Sequence, residues 1–241
     1  MKVLFIGNSF SQDASRYLEM ISNGEIYFRN LYVGGCSFKM HYEFMTQDQA
    51  AYDCQHGPEN LGNISVTEAL KSEDWDWVTV QQVSYETGDA ESYEPYMGEL
   101  IKKIGELCPN AKIAFHKTWA YEDGSDHPGF AKYNCDRVKM YKAICEVTKF
   151  YADKYSLPLI PSGDAVEMAR SLDEFNTGKG GVTITRDGFH LSLDYGRYLA
   201  GLVVNGFFTG KSAAEVTYKP DNTDDRVIEK LKAIADKVLS K

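Results

Sequence analysis

The sequence contains no run of about 18 apolar residues, so no segment reads as a membrane span. Its opening apolar stretch, Val3 to Ile6, is too short for a signal peptide and runs directly into Gly7-Asn8-Ser9. As read, the chain fits a cytoplasmic protein, or a periplasmic or secreted one whose leader has been removed. Cysteines are few: five, at positions 36, 54, 108, 135 and 145, an odd number with no Cys-x-x-Cys. That argues against a disulfide framework and a zinc site, and fits free thiols in a reducing compartment. Basic residues are outnumbered, 26 Lys and Arg against 35 Asp and Glu, and the acids are scattered, for a net charge of −9. Without a basic stripe to neutralise phosphates, nucleic acid is not an expected partner, nor is an anionic lipid surface.

No repeat, low-complexity segment or linker divides the sequence, and residues 1–241 read as a single domain. His41-x-Glu43 and the scattered His56 and His127 make no metal cluster. Gly178-Lys179-Gly180-Gly181 lacks the preceding strand, the spacing and the Ser/Thr of a phosphate loop. No metal or cofactor is expected. Asn63-Ile64-Ser65 is a glycosylation sequon that matters only in a secreted protein.

What is present is ordinary in amount and informative in order. Apolar residues make up 43% of the 241. A chain of this size buries roughly 70–75% of the surface its unfolded form exposes and needs no covalent staple. The 16 Tyr, 12 Phe and 3 Trp mostly serve to fill that core, though their faces also suit sugar rings and acyl chains. The short apolar run at 3–6 and the segments 27–33, 77–81, 111–115 and 157–160 read as strands. Helical spacing covers 13–22, a stretch from 66, and 93–107, 132–154, 163–172, 194–208 and 223–239, while 47–63 reads as loop. Strands alternating with helices predict a three-layer α/β/α sandwich around a flavodoxin-like, five-stranded parallel sheet. Ligands in such folds bind beyond the carboxyl ends of the strands, here the segments 7–12, 34–38, 81–85 and 116–121.

Four features stand at or near those ends. A serine on the tight turn after the first strand, Ser9, can expose its hydroxyl as a nucleophile; alternatively it satisfies backbone donors in a serine-rich turn. After the second strand, Gly34-Gly35 is either a simple turn or a place where a backbone N–H reaches a site without a side chain in the way. After the third, the side-chain amide of Gln82 can donate to an oxyanion or cap the next loop. Far along the chain, Asp187 and His190 flank Gly188-Phe189, so one turn can let Asp187 fix the imidazole tautomer while the far nitrogen of His190 faces a nucleophile.

Taken in that order, the blocks GNSFS, VGGCS, WDWVTVQQ, RDGFHLS and GRYLAG resemble the SGNH (GDSL-like) hydrolase superfamily, and in it a subgroup without an assigned substrate. The resemblance spans nearly the whole chain. It departs at Asn8, where the GDS motif has aspartate, and at Gln82, where the third block usually has asparagine. It implies a serine esterase in which Ser9, His190 and Asp187 form the triad. The oxyanion would be held by the N–H groups of Ser9 and Gly35 and by Gln82, with Gly35 preferred to Gly34 by analogy with the block.

Superfamily members include carbohydrate acetylesterases, lysophospholipases and thioesterases. Trp119 in the loop after the fourth strand offers a stacking wall for a sugar, with Tyr85 and His116 on the same rim. No hydrophobic lid for long acyl chains is visible, and 47–63 and 176–183 are the stretches that could close over a site. The expected substrate is a small or oligosaccharide ester, acetyl above all. Alternatives are a lysophospholipase or thioesterase, or a silent sugar- or FMN-binding module. The sequence leaves the oligomeric state open.

Overall fold

The computed structural model describes residues 1–240. Strand β1 (Lys2–Gly7) is followed by helices α1 (Ser9–Ser15) and α2 (Leu18–Ile21), then β2 (Tyr27–Tyr32), α3 (Phe38–Thr46), β3 (Tyr52–His56) and β4 (Glu59–Ile64). Next come α4 (Val66–Lys71), β5 (Trp77–Val80), α5 (Tyr96–Leu107), β6 (Lys112–His116), α6 (Arg137–Tyr155), β7 (Leu159–Ile160), α7 (Ser162–Ala169), α8 (Tyr195–Thr209) and α9 (Asp225–Leu239). The sheet order is β4-β3-β2-β1-β5-β6-β7. The five expected parallel strands are all there, adjacent in the order β2-β1-β5-β6-β7.

Strand β1 runs through the middle and explains its own composition. Val3 and Phe5 enter one apolar core and Leu4 and Ile6 the other, with none more than 1% exposed. A strand covered on both faces has no polar side to show, hence the unbroken apolar run. Residues of α1, α2, α7, α8 and α9 pack in the first core, and those of α3, α4 and α5 in the second. Helix α6 serves both, through Met140 and Ile144 at its start and Tyr151 and Ala152 near its end.

The sheet is wider than the sequence predicts. The stretch 47–63, expected to be loop, carries β3 and most of β4, an antiparallel hairpin that extends the sheet beyond β2 and makes it mixed. Five of the six residues of β4 are exposed, so this edge strand has no apolar face and leaves no alternating signal. Helix α3 was likewise not expected. It starts where Ser37 caps it by accepting the Met40 N–H, and it buries only Phe38 and His41. The first helix begins at Ser9 rather than near residue 13. Among the described residues no helix is long and apolar enough to cross a membrane.

Candidate active site

The carboxyl ends of β1, β2 and β5 lie side by side, and the segments leaving them build one wall of a cavity of about 200 Å³. Ser9 is the first residue of α1. Asn8 caps that helix from extended backbone (φ −147°), its Oδ1 accepting the Phe10 N–H at 3.0 Å. The Ser9 N–H, at the first helical position, has no carbonyl four residues back within the helix.

Across the cavity, Thr185 and Leu191 form an antiparallel bridge that pinches the intervening residues into a turn. In this turn Asp187 Oδ1 accepts the backbone N–H groups of Phe189 (3.2 Å) and His190 (2.7 Å). Its other oxygen, Oδ2, lies 2.7 Å from His190 Nδ1, and His190 Nε2 lies 2.9 Å from Ser9 Oγ. Burial alone would raise the Asp187 carboxyl. The hydrogen bonds from the His190 ring and from the two N–H groups outweigh it and hold the group below its ordinary value. An ionised carboxylate only accepts, so Nδ1 carries the imidazole proton and Nε2 is left to accept from the Ser9 hydroxyl. The three side chains singled out in the sequence as nucleophile, base and orienting acid are thus brought into one hydrogen-bonded line.

Gly35 also lines the cavity and has φ +63°, a left-handed conformation that favours glycine, while Gly34 has no positive φ. Gln82, in contrast, does not reach the cavity. Its Oε1 accepts the Phe38 and Val83 N–H groups, each at 2.8 Å, and its Nε2 donates to the carbonyl (3.1 Å) and Oγ (2.9 Å) of Ser92. Every polar atom of this fully buried amide is engaged, so it acts as a tie between loops, and the expectation that it faces an oxyanion is corrected. Two of the three expected rim residues are corrected as well. Trp119 is 0% exposed, stacked flat on Phe10 at 4.3 Å, so no ligand can stack on it. His116 is 1% exposed and bonded on both sides, with Nδ1 2.8 Å from Gln81 Oε1 and Nε2 2.9 Å from Ser162 Oγ. Tyr85 alone of the three lines the cavity.

Those buried groups hold the site from behind. Burial lowers His116 to about 4, so the ring is neutral, donating from Nδ1 to Gln81 and accepting from the Ser162 hydroxyl. Gln81 passes the chain on, its Nε2 donating to Asn8 Oδ1 at 2.7 Å. Asn8 Nδ2 in turn donates to the Cys36 carbonyl at 3.0 Å. Asn8 therefore both accepts and donates, which explains an amide where the GDS motif has aspartate: a carboxylate could not serve the Cys36 carbonyl. Trp119 Nε1 donates to the Phe189 carbonyl at 2.7 Å and the Glu122 N–H to that of Gly188 at 2.8 Å, fastening the Asp187–His190 turn.

The remaining fastening is ionic. Asp13, one turn after Ser9 on α1 and 0% exposed, accepts from Arg186 Nη1 (3.0 and 3.1 Å), Arg197 Nε (2.7 Å) and the Leu191 N–H (2.9 Å). Sequence reasoning missed Asn8, Gln81 and Asp13 as supports, and set His127 aside although it lines the cavity beside Tyr85. Among the described residues no group of three or more His, Cys, Asp or Glu side chains is arranged to hold a metal ion.

Residues 2–237 match the family described as Domain of unknown function (DUF4886). The chain belongs to this family. A DUF4886 family protein from Bacteroides uniformis is 31% identical over 100% of this chain and 95% of its own, with a TM-score of 0.91. A candidate SGNH hydrolase from Slackia heliotrinireducens has a TM-score of 0.63 at 22% identity, covering 86% of this chain and 98% of that one. An acetyl xylan esterase, AlAXEase, has a TM-score of 0.54 at 17% identity, covering 87% of this chain and 99% of that one. No curated protein matches the sequence. The fold of this family member is that of the SGNH hydrolases, as its sequence blocks imply.

Proposed function

We propose that the chain is a serine esterase that removes small acyl groups, acetyl foremost, from carbohydrate esters. The observation that carries this reading is the line from Asp187 through His190 to Ser9, with links of 2.7 and 2.9 Å, opening into a cavity of about 200 Å³. In the first step His190 Nε2 takes the Ser9 proton as Oγ attacks the ester carbonyl. Asp187 stays ionised and stabilises the imidazolium through Nδ1–H. The tetrahedral oxyanion is held by the N–H groups of Ser9 and Gly35. Donors aimed at developing charge typically carry about 3–4 kcal/mol each of transition-state stabilisation. His190 then protonates the departing alcohol, and a water deprotonated by His190 releases the acid from Ser9.

Preference for a short acyl group follows from the small volume of the cavity that Ser9 faces. The test is hydrolysis of p-nitrophenyl acetate, butyrate and octanoate by the wild type, Ser9→Ala and His190→Ala. Acetate turnover that falls by at least about 1,000-fold in both variants, with folding intact, is the expected result. A Ser9→Ala enzyme that keeps its rate would remove Ser9 from the chemistry, and a preference for octanoate would replace the acetylesterase by a lipase-like enzyme.

A further inference from the structure

His127 shares the cavity with Ser9 and His190 but has no part in the acyl transfer just described. It opens the 3₁₀ turn Pro128–Tyr133, and its Nδ1 accepts the Gly129 N–H at 3.0 Å. An imidazole that accepts at Nδ1 carries its proton on Nε2 when neutral. Burial, and after it the nearby His190, lower the pKa of this ring and favour that neutral form. Among the described residues no protein group accepts the Nε2–H, nor is this nitrogen sealed in the interior.

The ring is held in place by its neighbours. Tyr85 stacks on it at 5.7 Å, and the rings of Tyr121 and Phe189 each lie 4.8 Å away. Gly129 lets the pair close up: a Cβ there would come within 2.3 Å of Tyr85 Cβ and 3.1 Å of His127 Nδ1. A directed, uncharged donor beside aromatic faces therefore stands in the wall of the reaction cavity.

We propose that His127 selects a hydroxyl-bearing alcohol, a sugar, as the leaving group of the ester, its Nε2–H donating to a hydroxyl or ring oxygen flanked by Tyr85 and Phe189. This rests on the esterase reading and narrows it. An alkyl chain in that position would leave the donor desolvated and unpaired, and a cationic alcohol would meet an N–H instead of an acceptor. Sugars supply oxygens at the ring edge and an apolar face for the aromatic rings.

Two substitutions separate this role from the turn that His127 also caps. His127→Asn keeps a side-chain acceptor for the Gly129 N–H but is too short to present a donor where Nε2 stands; His127→Phe loses both. Both variants are compared with wild type on acetylated xylooligosaccharide and on p-nitrophenyl acetate, whose alcohol has no further hydroxyls. The expected result in both variants is a fall in kcat/KM on the sugar ester that exceeds any fall on p-nitrophenyl acetate by about 10- to 100-fold. Equal losses on the two substrates, or a His127→Asn enzyme indistinguishable from wild type on the sugar ester, would overturn the proposal.

Absence of turnover on either substrate by folded wild type would sink the esterase reading on its own. His127 is then judged by calorimetric titration of Ser9→Ala with the same oligosaccharide. Binding weakened about tenfold or more by His127→Asn sustains the role, whereas unchanged or undetectable binding ends it.

Discussion

On the Ser9 side of the cavity the segments leaving β1, β2 and β5 are tied by uncharged groups: the Asn8, Gln81 and Gln82 amides and the neutral His116 ring. On the His190 side the neutral donors of Trp119 and Glu122 are joined by one carboxylate and two guanidinium groups, Asp13 with Arg186 and Arg197. The first set lies wholly inside, where an unpaired charge would be costly to desolvate and an amide can both give and take a hydrogen bond. In the second set the guanidinium groups keep some contact with water, Arg186 with 31% of its side chain exposed, and only the carboxylate is sealed. A segment that must be fixed across 170 residues of intervening chain is thus held by a few strong, directed bonds, while strand ends already in register need only neutral ones. The two sides should break differently.

The largest effect is expected on the ionic side. Asp13→Ala leaves two guanidinium groups and the Leu191 N–H without their buried partner, and removal of one member of such a cluster costs about 3–5 kcal/mol. Chemical denaturation should show that loss, and turnover should fall further than stability does because the His190 turn loses its tie to α1. Arg186→Gln, a milder break, should lower kcat with KM little changed. A variant as stable and active as wild type would show that the turn is held by Trp119 and Glu122 alone.

The neutral side is expected to answer to pH instead. Burial lowers His116 to about 4 and His41 to about 3, against 6.5 when unperturbed. The folded pKa values are depressed, so between pH 6.5 and about 4 the unfolded chain binds more protons than the folded one. The stability held by these rings is complete above 6.5 and is lost as the pH falls. In the lower part of that window each ring contributes a slope of about 1.4 kcal/mol per pH unit. Unfolding free energies measured from pH 7 to 4.5 should fall accordingly, and His116→Gln should remove about half of the slope. A flat profile would mean that neither ring is kept neutral.

How much of this was legible in the sequence follows the same division. The central strand β1 announced itself because burial on both faces leaves an unbroken apolar run, its parallel neighbours by being mostly apolar between helical stretches, and the Asp187-x-x-His190 spacing by fitting within one turn. The supports behind them were not legible for physical reasons. Asp13 meets its partners only through the fold, at a separation of more than 170 residues. Trp119 looks the same in sequence whether it faces a ligand or stacks under Phe10. The choice between Gln81 and Gln82 turned on strand phase. Side chains alternate along a strand. Val78 and Val80 enter the same core as Leu4 and Ile6. Gln82 continues that phase and points toward Phe38 and Ser92, leaving Gln81 to face Asn8.

The smallest effect on rate, and the sharpest test of that phase argument, is expected from Gln82→Ala. A donor to the oxyanion, once removed, costs on the order of 100–1,000-fold in kcat and leaves stability nearly untouched. A buried tie gives the opposite pattern. Losing Gln82 strands the N–H groups of Phe38 and Val83 and the carbonyl of Ser92, a penalty of about 1–3 kcal/mol in folding, while kcat changes by less than about tenfold. Melting temperature and p-nitrophenyl acetate kinetics, measured on the same preparation, separate the two. A variant with unaltered melting and a thousandfold slower reaction would return Gln82 to the oxyanion, and would require its amide to leave Ser92 when substrate binds.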